Sequence, residues 1–328
     1  MTVTIAVVEG DGIGREVIPP AAQILRYFLP DAEFIPVALG FAVWEKTGSA
    51  CSEEDIQILK GTDAVLFGAV TTPPDPDYKS VLLRLRHELD LYANIRPVKS
   101  ACADLVIVRE NSEGLYSGRE EIGEERSTTL RVVTKTGSRR VAETACLLSR
   151  QRNRQIPLTI GHKANVLKSD GLFRDTCLRT AESENLPVRC MLIDALCLDV
   201  LFHPRKYDVI VTTNMFGDIL SDVCGYLAGG LGLLPSANIG DTHVLFEPVH
   251  GSAPDIAGRG IANPVAAIRS AALLLAYLGM QAEAERVEEA VRETMACGVV
   301  TPDLGGAAST EGVGKNIFAR LDNLCRQN

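Results

Sequence analysis

The stretch Val209–Leu233, VIVTTNMFGDILSDVCGYLAGGLGL, constrains the fold more than any other. Its β-branched start, Val209–Thr213, predicts a buried strand. Asn214–Asp218 reads as a polar break, and a helical pattern follows. On that helix Asp218 and Asp222 are four residues apart, so their carboxylates share one face. Two such groups repel unless a cation lies between them, and Mg²⁺ or Mn²⁺ suits carboxylate oxygens. A helix cap at Asp218 and a solvated Asp222 would explain the same residues equally well.

The same alternation recurs along the chain and predicts an α/β sheet. Thr2–Glu9 reads as a strand, Gly10–Gly14 as a tight turn and Glu16–Phe28 as a helix. Strands follow at Glu33–Ala38 and Asp63–Gly68, then an irregular loop over Ala69–Asp77. Val81–Leu91 is predicted helical, Leu105–Arg109 a strand, Asn111–Gly118 a loop and Thr128–Thr134 β-rich. A helix over Gly137–Asn153 precedes a strand at Pro157–Ile160. Asp170 is expected to cap a helix through Thr180, and Val188–Asp194 to be a strand followed by the helix Ala195–Phe202. Pro235–Gly240 reads as a loop and Val244–Glu247 as a strand. Pro264 suits the first turn of a helix running to about Leu278, and a last helix is expected over Glu283–Cys297. GDGIG is not GxGxxG, so a tight turn between strand and helix is as good a reading as a dinucleotide loop.

A chain of 328 residues, 46% hydrophobic, can bury one large core or two medium ones. A net charge of −9 argues against a nucleic-acid binder. Nine cysteines without CxxC spacing read as small core residues in a reducing compartment. No signal peptide and no transmembrane run is predicted, so a soluble, cytoplasmic protein is expected.

Arg86 lies four and three residues after Leu82 and Leu83 on a predicted helix; Arg96 follows, and Arg109 ends a strand. Guanidinium groups at such positions can grip carboxylates, although most arginines are simply on the surface. Lys163 stands at a strand exit, where it is either catalytic or a solvated charge. The segment PVHGSAPDIAGRGIANP has the residues of a binding loop, and equally those of a long surface loop.

Taken together, GDGIG, FGAV, LRHELDLYANIRPV, VIVRENSEGLYSG, HKANVL, TTNMFGDILSD and EPVHGSAPDIAG are similar, nearly end to end, to the β-decarboxylating dehydrogenases: isopropylmalate, isocitrate and homoisocitrate dehydrogenases. The archaeal isopropylmalate/homoisocitrate type is the nearest flavour. The resemblance implies a two-domain α/β fold with a central mixed sheet, not a Rossmann fold. One domain is formed by both chain ends (1–97 and 230–328) and binds the cofactor. The other (98–229) carries dimer contacts and metal acids. It implies that Arg86, Arg96 and Arg109 hold substrate carboxylates, that Tyr116 protonates the enolate carbon, and that Lys163 takes the hydroxyl proton. Asp194, Asp218 and Asp222 would bind Mg²⁺ or Mn²⁺. His250, Gly251, Asp255, Ile256 and Asn263 would hold the adenosine half of NAD, with Asp255 repelling the 2′-phosphate of NADP. A homodimer is implied in which the partner supplies Lys163 and Asp194.

Leu82 and Leu83 would offer an apolar wall to the isopropyl group of 3-isopropylmalate, a leucine-biosynthesis substrate; homoisocitrate and isocitrate are the alternatives, with Lys79 or Arg84 as partner of a distal carboxylate. A non-catalytic regulatory subunit is the alternative of another class, and the presence of Tyr116, Lys163 and the three acids weighs against it. Two departures stand out: KANVLKSDGLF is one residue shorter than the family's usual form, and Asp199 replaces an amide, adding a charge that could serve the metal or be solvated.

Overall fold

The computed structural model describes residues 2–75 and 77–326. Pro76, in the loop expected over 69–77, lies outside the described residues, as do Met1 and the last two residues of the expected domains. The chain divides into two compact units. The first comprises residues 1–89, 229–237 and 242–328, and the second residues 90–228 and 238–241.

In the first unit, β1 (Thr4–Gly10), α1 (Gly14–Phe28), β2 (Glu33–Pro36), α2 (Phe41–Thr47), α3 (Glu53–Lys60), β3 (Ala64–Ala69) and α4 (Val81–Glu88) follow in turn. β1 pairs in parallel with both β2 and β3. β3 is buried throughout, as a strand covered on both faces must be. α2 and α3, unassigned from sequence, are short; α3 starts with a Ser52/Asp55 capping box.

The second unit holds β4 (Ala93–Lys99), β5 (Asp104–Glu110), the short pair β6 (Glu120–Glu121) and β7 (Thr128–Thr129), α5 (Lys135–Arg152), β8 (Leu158–His162), α6 (Lys168–Ser183), β9 (Val188–Leu192), α7 (Ile193–Phe202), β10 (Val209–Thr212) and α8 (Asn214–Ala228). Its strands run β4-β5-β10-β8-β9, with β4 antiparallel to β5 and the rest parallel, so the sheet is mixed. Val141, Ala145, Phe173, Cys177 and Val211 fill the core between α5, α6 and the strands.

The chain then forms β11 (Pro235–Ile239), whose last two residues group with the second unit. It returns to the first unit for β12 (Val244–Pro248), α9 (Val265–Tyr277), α10 (Gln281–Ala296) and α11 (Thr310–Arg326). All nine cysteines are free. No described helix is long and apolar enough to cross a membrane.

Several expectations are corrected. The polar break at 214–218 does not exist: α8 starts at Asn214, so Asp218 lies inside the helix and is no cap. Asp194 does not end a strand; it sits in the first turn of α7, where a carboxylate suits the helix dipole. Asp170 is likewise inside the first turn of α6 and wholly buried, not a cap. Pro235–Ile239 is a buried strand, its proline at the first position, where the missing N–H is tolerated. Most of the β-rich 128–134 is not strand. Pro264 is the N-cap of α9 and not its first helical residue. β4 and the last helix, α11, are not predicted from the sequence.

Candidate active site

All three flagged arginines are buried: Arg86 is 7% exposed, Arg96 5% and Arg109 1%. That rules out the surface reading, because a buried cation must be paired. Arg86, on α4 in the first unit, faces Glu247 Oε1 at 3.7 Å.

The other two belong to the second unit. In the antiparallel register Asn94 stands opposite Arg109, and Arg96, two residues on, points to the same face. α8 lies over that face. Arg109 Nη1 hydrogen-bonds Asp218, while its Nε and Nη2 reach Asn214 Oδ1 at 3.1 and 2.7 Å. Arg96 Nη1 is 2.6 Å from Ser221 Oγ, 3.1 Å from Asp218 and 3.9 Å from Asp222. Tyr116 follows Gly114, whose φ of +80° turns the chain into a 3-10 turn beside α8. Its phenol donates to Asp218 Oδ2 at 3.2 Å, and Arg109 lies 5.6 Å from its ring centre.

Asp218 and Asp222 are therefore one turn apart and face two arginines. Burial raises the Asp222 carboxyl above the usual carboxylate range, and Asp218 adds repulsion, against the opposing pull of Arg96 and Arg109. Such a crowded pair of hard oxygen donors fits a divalent cation. Among the described residues of one chain, no three His, Cys, Asp or Glu side chains come together as a metal site. Asp194 instead pairs with Lys163 Nζ at 2.6 Å, and that hydrogen bond lowers its pKa.

Lys163 itself is fixed through its backbone. Its N–H donates to Asp170 Oδ2 at 2.6 Å, and Arg131 Nη2 holds the other oxygen at 2.5 Å. The shortened KSDG segment thus packs a buried carboxylate under the lysine. Asp199 stays 32% exposed and makes no bond to Asp194, Asp218 or Asp222 among the described residues. Tyr207 hydrogen-bonds one of its oxygens and His203 Nδ1 lies 2.9 Å from the other, which depresses its pKa.

In the first unit the loop after β12 is pinned to the GDGIG turn. Gly258 and Gly260 donate backbone N–H to Glu16 at 2.7 and 2.9 Å, and Ile13 N–H donates to Ser252 O at 2.9 Å. A Cβ on Gly12 would meet Ser252 O at 2.0 Å, so this glycine serves close packing of backbone on backbone. Asp11 accepts from the N–H groups of Phe41, Ala42 and Thr71.

On that loop, burial lowers the His250 pKa, against the opposing effect of the hydrogen bond that its Nδ1–H donates to Gly251 O at 3.0 Å. Its buried Nε2 has no hydrogen-bond partner among the described residues. An orphan ring nitrogen on the loop that also carries the exposed Asp255 and the half-buried Ile256 fits a nucleoside. Asn263 is already engaged: it donates to Asp303 Oδ2 and accepts from Val265 N–H, both at 3.0 Å.

The sequence pattern of the family described as isocitrate/isopropylmalate dehydrogenase matches residues 4–317. The chain belongs to this family. It is 47% identical over 332 residues to the 3-isopropylmalate/3-methylmalate dehydrogenase of Methanocaldococcus jannaschii, covering 97% of this chain and 98% of the relative. It is 45% identical over 335 residues to an isocitrate/homoisocitrate dehydrogenase of Thermus thermophilus, covering 99% and 100%. The crystal structure of isocitrate dehydrogenase from Methylococcus capsulatus matches with a TM-score of 0.93 at 37% identity, covering 98% of this chain and 99% of that one. As a member of the family, the protein is an oxidative decarboxylating dehydrogenase that acts on a small malate-type acid.

Sequence reasoning missed the buried Asn94, Asn111 and Asn238 around Arg96, and the Asp170–Arg131 support of Lys163. Asn94 carried a usable signal, since it shares the face of Arg96 two residues away. Asn238 carries none, because Pro235–Gly240 has the composition of a loop.

Proposed function

We propose that the protein oxidises and decarboxylates 3-isopropylmalate with NAD and Mg²⁺ or Mn²⁺, in a homodimer whose sites combine both subunits. The observation that carries the substrate choice is on α4. Leu82 and Leu83, half-buried, precede the buried Arg86 by four and three residues. Each methylene they cover contributes about 0.8 kcal/mol, whereas an unpaired carboxylate there would be costly. Ser80 is engaged as the N-cap, accepting from Leu83 N–H. Arg84 is engaged by Cys51 O and Glu53. A relative's name, 3-isopropylmalate/3-methylmalate dehydrogenase, agrees with an apolar substituent. Homoisocitrate is the second reading, favoured by the exposed cation Lys79 just before the cap.

In this reading Arg86, Arg96 and Arg109 bind the substrate carboxylates, and Lys163 takes the hydroxyl proton as C2 is oxidised. NAD supplies hydride acceptance and the cation supplies Lewis-acid charge. Asp218, Asp222 and the partner's Asp194 hold that cation. Tyr116, within hydrogen-bond reach of Asp218, delivers a proton to the carbon that loses CO₂. His250, Gly251, Asp255, Ile256 and Asn263 line the adenosine site, and Asp255 selects against a 2′-phosphate. The composite site is supported by the pairing of Asp194 with Lys163, away from the Asp218/Asp222 pair of the same chain.

The test is a kinetic panel of 3-isopropylmalate, homoisocitrate and isocitrate, each with NAD and NADP. The highest kcat/KM is expected for 3-isopropylmalate with NAD. A homoisocitrate value roughly tenfold higher, about 1.4 kcal/mol, would overturn the leucine wall and implicate Lys79.

A further inference from the structure

We propose that Asn94 and Asn238 form a buried amide relay that positions the guanidinium of Arg96. The inference rests on the reading of Arg96 as a substrate-carboxylate ligand.

Asn94 is 0% exposed, and Asn111 and Asn238 are 1% exposed each. A buried amide that lacks partners costs about 1–3 kcal/mol, so three in one place need a fixed pattern of bonds. Arginine supplies that pattern because its Nε–H can only donate. The Asn94 atom 2.5 Å from Arg96 Nε is therefore the amide oxygen. Its Nδ2 then points to Asn238, 3.0 Å away, and the facing Asn238 atom must be Oδ1. The same Oδ1 accepts Asn111 Nδ2 at 2.9 Å, and Asn111 Nδ2 also donates to Leu91 O at 2.9 Å. Both lone pairs of Asn238 Oδ1 are thus used. Flipping either of the first two amides would set donor against donor. The one-way character of the guanidinium is passed outward through both side chains.

The consequence for Arg96 is orientation. Nε is held by Asn94, and Nη1 by Ser221 and Asp218. Nη2 has no hydrogen bond among the described residues, so it is the donor presented to a carboxylate. The plane of the group is set by atoms on β4, β11 and α8 before substrate arrives, and such preorganisation appears as substrate affinity.

Asn94→Ser removes the acceptor from Nε, and Asn238→Leu removes the acceptor from Asn94 while keeping its volume. Each is expected to raise the KM for 3-isopropylmalate roughly tenfold or more, with kcat changed less than about threefold and the KM for NAD unchanged. Asn238→Asp keeps the acceptor and is expected to stay within about threefold of wild-type KM; it keeps the relay testable if Asn238→Leu does not fold. In an Arg96→Met background, Asn94→Ser is expected to add less than about twofold. Full additivity there, an Asn238→Asp enzyme as weak as Asn238→Leu, or equal losses in both KM values and kcat would overturn the relay. If Arg96→Met itself leaves the substrate KM unchanged, the reading of Arg96 as a ligand fails instead.

Discussion

Gly217 approaches Arg109 so closely that a Cβ on the glycine would lie 2.7 Å from the arginine's own Cβ. This contact lays α8 on β5 and brings Asp218, the next residue, to the guanidinium. Any side chain at 217 must push the helix or the arginine away. Gly217→Ala is expected to cost about 1–3 kcal/mol of stability, as overpacking does, and to raise the substrate KM as well. Thermal melts and steady-state kinetics on the variant check both effects.

The acid pair on α8 predicts metal dependence. EDTA is expected to abolish turnover and Mg²⁺ or Mn²⁺ to restore it. Asp222→Asn removes one carboxylate charge, so the cation concentration for half-maximal activity is expected to rise at least roughly tenfold. Metal titrations of wild type and variant give the comparison. Full activity in the chelated enzyme would contradict a metal role for Asp218 and Asp222.

Acid stability has a local handle at Asp63. Thr4 N–H donates to its carboxylate at 2.7 Å and the Thr4 hydroxyl at 2.8 Å, and these bonds hold its pKa below the usual range. The folded pKa is thus below the unfolded one. The stabilisation is fully present above the unfolded value of about 3.9 and is lost as pH falls through the folded value. Asp63 is exposed, so its share is only a few tenths to about 1 kcal/mol. Asp63→Asn is expected to melt below wild type at pH 7, and the gap to close as the pH drops below the unfolded value. A gap that persists in acid would mean that the charge is not the cause.

Much of this was legible in the sequence because strand and helix periodicities differ and because the chemistry-bearing residues stand at element ends. Arg109 at a strand end and the four-residue spacing of Asp218 and Asp222 needed no coordinates. Burial of the arginines was not legible, since a guanidinium enters a core only when distant residues pair with it. Arg96 depends on Ser221, 125 residues away. β4 escapes because Pro97 and three polar residues, Asn94, Arg96 and Lys99, leave it few apolar positions, and β11 because Pro-Ser-Ala-Asn resembles a turn. Asp170 looked like a cap for the same local reason, whereas its partner Arg131 lies 39 residues upstream.

The proposed site is shared between two copies of the chain: Tyr116, Arg96, Arg109 and the Asp218/Asp222 pair from one, Lys163 and Asp194 from the other. Tyr116→Phe and Lys163→Met should each be nearly inactive alone, because a general acid or base contributes ~10²–10⁴-fold. The decisive measurement is the activity recovered when the two inactive variants are unfolded, mixed in equal amounts and refolded together. A mixed dimer then contains one intact site and one doubly defective site, and random pairing yields about a quarter of wild-type turnover. Recovery near that level is the predicted result. Turnover no higher than that of the parent variants, in a mixture shown to contain mixed dimers, would contradict it.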